Sequence, residues 1–323
     1  MARVCMVGGQ AVMEGVMMKS PKGIALSVRN ADGAIVTEYK PFETKAKKGT
    51  FLGLPIVRGV VTFVESLVTG MQTITRSAEM IGDEDLQEEP TKFELWLSRV
   101  MGKSVEKIVM GVAVVLAVAL SIGLFFILPL LGGSLIFKLF PGIPQGVKSL
   151  VEGVLRLLIF LGYIVAISNL KDIRRVFMYH GAEHKTIACY EAEAEVTPEN
   201  AMRYPRLHPR CGTNYLFLVM AVSIVFFAIV GWSDNFLIRL GTRLLFLPVV
   251  AGLSYEVLRF AAKYDNPLTR VIRAPGMGLQ MLTTKDPTPD MIEVAIASFN
   301  RAMQDVEDAQ KETTEGVQTA DAE

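Results

Sequence analysis

Residues 108–131, IVMGVAVVLAVALSIGLFFILPLL, run for 24 positions without a charged side chain, and about 20 apolar residues are enough to cross a hydrocarbon core about 30 Å thick. Backbone amides that enter lipid must be satisfied within their own segment, so such a run has one stable solution, an α-helix. Residues 213–232, TNYLFLVMAVSIVFFAIVGW, give 20 more uncharged positions and end on Trp232, a side chain favoured at headgroup depth. Two further runs carry charge near their outer ends. Residues 150–170 contain Glu152 and Arg156 ahead of LLIFLGYIVAISNL, and residues 236–258 contain Arg239 and Arg243 ahead of LLFLPVVAGLSY. Composition agrees, with 51% hydrophobic residues and a mean hydropathy of +0.37. The predicted fold class is mainly α: a polytopic membrane protein with about four transmembrane helices, a small N-terminal β-hairpin and cytoplasmic amphipathic helices.

Basic residues orient the spans. Lys92, Arg99, Lys103 and Lys107 precede the first; Lys171, Arg174, Arg175, Lys185, Arg203, Arg206 and Arg210 lie between the second and third; Arg259, Lys263, Arg270 and Arg273 follow the fourth. The opposite loops hold only Lys138 and Lys148, which places both termini and the central loop in the cytoplasm. The 33 Lys+Arg balance the 33 Asp+Glu, so the usual electrostatic case for nucleic-acid binding is missing. Three cysteines at irregular spacing, Cys5, Cys189 and Cys211, argue for reduced thiols rather than a disulfide framework. The N-terminus lacks the basic and apolar regions of a secretory signal.

The soluble parts divide around the spans. Residues 1–90 form an N-terminal cytoplasmic region, with strands around Ala31-Asp32-Gly33 over 23–42 and an interfacial helix over 54–80. An acidic link from Gly82 to Pro90 closes it. Residues 91–258 form the membrane domain, with a cytoplasmic loop at 171–212. Residues 259–306 are an amphipathic segment in which Asp286, Thr288 and Asp290 surround Pro287 and Pro289 as a helix start, followed by Ile292, Ala295, Ile296 and Phe299 at helical spacing. Residues 307–323, poor in apolar side chains and acidic, predict a disordered tail.

All three histidines, His180, His184 and His208, lie in the loop at 171–212 together with Cys211. His180 and His184 are four apart and share a helix face, where two imidazoles can meet one ion. Glu183 completes an H-x-x-E-H pattern, that of the inverted zincins, in which the Glu activates water. The donor set predicts a divalent metal, zinc by its chemistry. Three side chains compete for the third position: Glu191, seven residues after His184, and the His208/Cys211 pair held between Pro205 and Pro209; His208 is preferred. If His180, His184, His208 and Cys211 all bind, the shell is closed and structural; with one absent, an open position permits hydrolysis. In the hydrolytic reading Glu183 takes the proton and Arg206 or Arg210 stabilises negative charge, acting on a lipid or membrane peptide at the cytoplasmic surface. The alternative is a scaffold or assembly factor that binds other membrane proteins, and a weaker one is a transporter. GGQAVMEGVMMKSP near the N-terminus fits no phosphate loop and reads as a glycine-rich turn against a membrane helix, with Gln10 or Glu14 able to reach the metal loop.

GGQAVMEGVMMKSP, HGAEHKTIACYE, YPRLHPRCGTN and LQMLTTKDPTPDMIEVAI occur in one order between Gly8 and Met303, and together they resemble the YqhQ-like bacterial membrane proteins, a domain of unknown function. The resemblance implies a multi-pass protein of the bacterial cytoplasmic membrane and a description as a predicted metal-dependent enzyme. Its motif positions fall on His180, Glu183, His184, His208 and Cys211.

Overall fold

The computed structural model describes Cys5, residues 7–82, 105–264 and 266–320. The acidic link to Pro90 and the basic approach through Lys92, Arg99 and Lys103 lie outside the described residues. The chain divides into two compact units. The first contains residues 1–82, 164–219 and 251–323; the second contains 83–163 and 220–250.

The first unit starts with a four-stranded antiparallel meander in sequence order: β1 (Gly8–Val12), β2 (Gly15–Lys19), β3 (Gly23–Arg29) and β4 (Ile35–Pro41). The expected hairpin over 23–42 is its second half, β3 paired to β4. The expectation of a single hairpin is corrected: the glycine-rich segment is itself the hairpin β1–β2. Its two-residue turn, Met13-Glu14, closes Val12 against Gly15 and leaves Glu14 at φ 49°, a conformation most residues avoid. Arg175 pairs with the Glu14 carboxylate, and the Tyr179 hydroxyl donates to it at 3.2 Å, which holds the turn.

Both faces of the sheet are covered. Val16, Met18 and Ala25 point toward helix α5 (Lys171–Glu191) and helix α11 (Pro289–Ala320), where they join Tyr179, Ala182, Ile292, Ala295 and Phe299 in one buried core. Met17, Ile24, Leu26 and Val28 face the other way and pack against Ile81 at the end of α1 (Val57–Ile81). Arg29 ties β3 to α11 by donating to the Asp290 carbonyl and Glu293 carboxylate, each at 2.9 Å. Helix α11 starts at the predicted prolines but continues to Ala320, through the stretch where composition predicts an unstructured tail; Gln, Lys and Glu there are good helix formers, and no proline interrupts them.

The membrane-type helices are α2 (Val105–Ile122), which passes through a π-helical turn (Gly123–Ile127) into α3 (Leu128–Leu139), then α4 (Gln145–Ile167) and α7 (Thr213–Val230). Among the described residues Gly111–Leu139, Gln145–Ile167 and Thr213–Val230 are long and apolar enough to cross a membrane. Helices α8 (Phe236–Leu245) and α9 (Leu247–Lys263) pass the same test as a pair bent by 45°, a fourth span if the two act as one. A short α6 (Pro198–Ala201) and a long α10 (Pro267–Thr283) complete the fold.

Within the second unit the charges on α4 and α8 meet. Glu152 is 1% exposed and pairs with Arg243 at 3.1 Å and Arg239 at 3.8 Å. Arg239 also donates to the Ser134 hydroxyl at 2.7 Å and lies over the Trp232 ring. Arg156 donates to the Phe125 carbonyl at 2.9 Å, inside the π-helical turn, where the wider register frees carbonyls from the α-helical ladder.

Candidate metal centre

The centre grows from helix α5. Four-residue spacing places His180 and His184 on one face with their ring centroids 4.4 Å apart. Each ring is oriented by a main-chain carbonyl brought from elsewhere in the chain. His180 Nδ1 donates to the Thr283 carbonyl at 2.8 Å, and His184 Nδ1 donates to the Arg206 carbonyl at 2.6 Å. With both protons on Nδ1, both Nε2 atoms carry free lone pairs, the tautomer that a metal-binding imidazole needs.

Cys211 meets them. Its Sγ lies 3.2 Å from His180 Nε2, and the ligand atoms of His180, His184 and Cys211 all fall within 4.8 Å of one another. A tetrahedral zinc with bonds of about 2.0–2.3 Å would set such atoms roughly 3.3–3.6 Å apart, inside the 4.8 Å limit that the three atoms meet. The donor set fits a zinc-class ion, and two orphaned atoms support the fit. His184 is 1% exposed with no partner on Nε2, and Glu183 is 4% exposed with no partner on Oε2. Buried polar atoms without partners are rare in native proteins and ask for an unseen one.

Burial raises the Glu183 carboxyl above its ordinary value, opposed by His180, His208 and a main-chain hydrogen bond from Gly9. Burial lowers the His184 imidazole, opposed by the neighbouring Cys211 thiol, which keeps the ring neutral. Gly9 approaches so closely that a Cβ there would lie 2.8 Å from the Glu183 carboxyl carbon and 2.8 Å from the Met17 carbonyl. At Gly8 a Cβ would meet nothing within 4 Å. Gly9→Ala is therefore expected to cost about 1–3 kcal/mol through overpacking, with Gly8→Ala neutral; equal thermal midpoints for the two variants would show that the contact is slack.

The remaining predicted residues sort themselves around this triad. His208 is beside the cluster, its ring centroid 5.7 Å from that of His184. Its Nδ1 accepts from the Arg210 amide at 3.4 Å, and its Nε2 donates to Glu191 at 3.1 Å. Burial would raise the Glu191 carboxyl, but the His208 hydrogen bond and the charges of His208 and Arg210 hold it below its ordinary value. Glu191 and His208 thus satisfy each other, with Arg210 also paired to Glu191. The Arg206 guanidinium turns away to Asp286 at 3.2 Å, and this residue contributes its carbonyl to the site instead. Glu14 is engaged by Arg175 and Tyr179, whereas Gln10 lines the cavity in front of the cluster.

That cavity measures about 860 Å³ and is bordered by His180, Glu183, His184, Glu191, His208, Arg210 and Cys211. Its size is in the usual range for small-molecule sites. Sequence reasoning missed the residues that brace it. Gln280 of α10, fully buried, donates to the His208 carbonyl at 2.9 Å and accepts from the His208 amide at 2.9 Å. Asn214 donates to the Pro209 carbonyl at 2.7 Å. Gly181 lets the Lys285 carbonyl come within 2.0 Å of where a Cβ would stand, which presses the end of α10 onto α5. The only available signal was a polar Gln inside the apolar run LQML.

Comparison with known proteins agrees with the family resemblance. A family model described as "Protein of unknown function (DUF1385)" matches residues 54–305. The chain is also 33% identical over 297 residues to "Uncharacterized protein YqhQ" of Bacillus subtilis (strain 168), covering 92% of each chain. No solved structure matches it. On the family match and on this identity, the chain belongs to the DUF1385 family, the YqhQ-like proteins of bacteria.

Proposed function

We propose that this chain is a multi-pass protein of the bacterial cytoplasmic membrane that holds a zinc-class ion at His180, His184 and Cys211 and hydrolyses a lipid or membrane-embedded peptide at the cytoplasmic surface. The observation that carries the reading is the pair of imidazoles locked by the Thr283 and Arg206 carbonyls with both Nε2 atoms turned toward the Cys211 thiol. Three protein donors leave a tetrahedral ion one open position, as catalytic sites require. The spans that support membrane placement are the apolar helices from Gly111, Gln145 and Thr213, and the basic loops orient both termini to the cytoplasm.

Bound at this triad, a divalent ion supplies an acidified water and polarises an acyl or phosphoryl oxygen. Glu183 accepts the proton of the attacking water on Oε2, which has no other partner, while the Gly9 amide steadies the carboxylate. Lys19 and Arg210 are cations on the cavity wall that can face developing negative charge, Arg210 while paired to Glu191, whereas Arg206 is outside the lining and pairs with Asp286.

Metal analysis of detergent-purified variants tests the shell. About one zinc per chain is expected in the wild type, absent from His180→Ala, His184→Ala and Cys211→Ala and retained in His208→Ala. Loss in all four variants would make the shell closed and favour a structural site in a scaffold or assembly factor. A zinc-free wild type would end the metal reading. Hydrolysis is tested with a panel of amphiphilic esters, amides and phosphodiesters, where turnover should vanish on chelation and return with zinc; no metal-dependent turnover on any class would remove the hydrolase.

A further inference from the structure

A second cavity of about 600 Å³ adjoins the metal cavity. The two share Gln10, Ser66 and Gly212 as a common wall. Beyond it the lining changes character, from the histidines and acids of the first to Phe63, Leu67, Met71 and Ile74 of α1 facing Tyr255 and Leu258 of α9. Leu67 is 57% exposed and Met71 58%. Large apolar side chains left this open on one face of a helix mark a contact surface rather than a core. The opposite wall is built from Tyr215 on α7 and from α9, the helices that carry the chain's apolar, membrane-type sequence.

We infer that this slot holds one acyl chain of a membrane lipid, with the lipid's polar end passing the Gln10–Ser66–Gly212 wall into the metal cavity. The inference rests on the hydrolase reading for its substrate class and deepens it: the substrate is an acylated amphiphile cleaved at its polar end. Two features choose lipid over a peptide helix. The slot borders helices long and apolar enough to cross a membrane, and in the membrane placement proposed above an acyl chain enters it without leaving an apolar medium. A peptide helix is about 10–12 Å across with its side chains, wider than an acyl chain and a poor fit to a slot of this volume. Gly212 marks the passage: a Cβ there would meet nothing within 4 Å, so a side chain at this position enters open space at the shared wall.

The test uses the full chain in vesicles of phosphatidylethanolamine and phosphatidylglycerol containing a trace of phosphatidylglycerol with a mid-chain diazirine. After photolysis the label should be enriched several-fold on the segment Phe63–Ile74 over the span Gly111–Leu139, which reports bulk bilayer contact. Met71→Glu and Gly212→Leu should each reduce the α1 label several-fold, with zinc content as the check on folding. Should Gly212→Leu disturb Cys211 and lose zinc, Met71→Glu decides alone. Equal labelling of α1 and the reference span, or enrichment that survives Met71→Glu, overturns the inference; selective labelling by a diazirine-bearing apolar peptide in place of the lipid assigns the slot to peptide. Labelling needs no turnover. Selective lipid label without zinc-dependent hydrolysis keeps the slot and removes the hydrolase, and hydrolysis without selective label does the reverse.

Discussion

Glu183→Gln is expected to keep zinc bound and lower zinc-dependent turnover by about 10²- to 10⁴-fold, the range for loss of a general base. The substitution is nearly isosteric, so the Gly9 amide still finds an oxygen to donate to, and the glycine contact is preserved. What disappears is the basic oxygen, because an amide nitrogen cannot take the proton from an attacking water. The side chain is 4% exposed, and a neutral amide is easier to bury than a carboxylate, so stability should hold or rise. KM should change little, since in the proposed mechanism Glu183 acts on the water and not on the substrate. Turnover within about threefold of wild type would sink the role of Glu183, and a parallel loss of zinc would recast it as a ligand.

The second large effect is structural and lies in the other unit. Among the described residues Glu152 is the one carboxylate paired with Arg239 and Arg243, and its charge also acts on Arg156. Glu152→Ala leaves three buried guanidiniums with no counter-charge, and breaking a buried pair from one side costs about 3–5 kcal/mol. Arg243→Met should cost less, because Glu152 keeps Arg239 as a partner. The comparison is therefore asymmetric by construction. Denaturant or thermal unfolding in detergent should rank Glu152→Ala well below Arg243→Met, and equal or reversed ranking would show that the cluster is solvated rather than paired.

The sequence made the helical part of the centre legible because its information is local. His180 and His184 share a face by spacing alone, and the apolar runs announce their helices by length. The division of labour between His208 and Cys211 was not legible, because it depends on Glu191 capturing His208 from two turns further along α5, and on Gln280 fixing the loop from a residue 72 positions away. Strand β2 was hidden for a related reason. Covered on both faces, Val16, Met17 and Met18 lose the alternation that reveals a half-exposed strand, whereas Gly33 at φ 83° supplied a turn signal for β3–β4. Arg239 and Arg243 looked misplaced at a span's end because their partner, Glu152, sits on another helix.

The two carbonyls that orient the histidine rings come from Arg206 and Thr283, and the amide behind Glu183 comes from Gly9. Those contacts draw on the first strand and on the last residue of α10 alike. A ribosome must release about 280 residues before the His180 ring acquires its fixed tautomer, long after β1 and α5 have emerged. The orientation of the histidine pair is thereby a late event in biogenesis, and chains cut short before α10 would carry His180 without the carbonyl that fixes its ring.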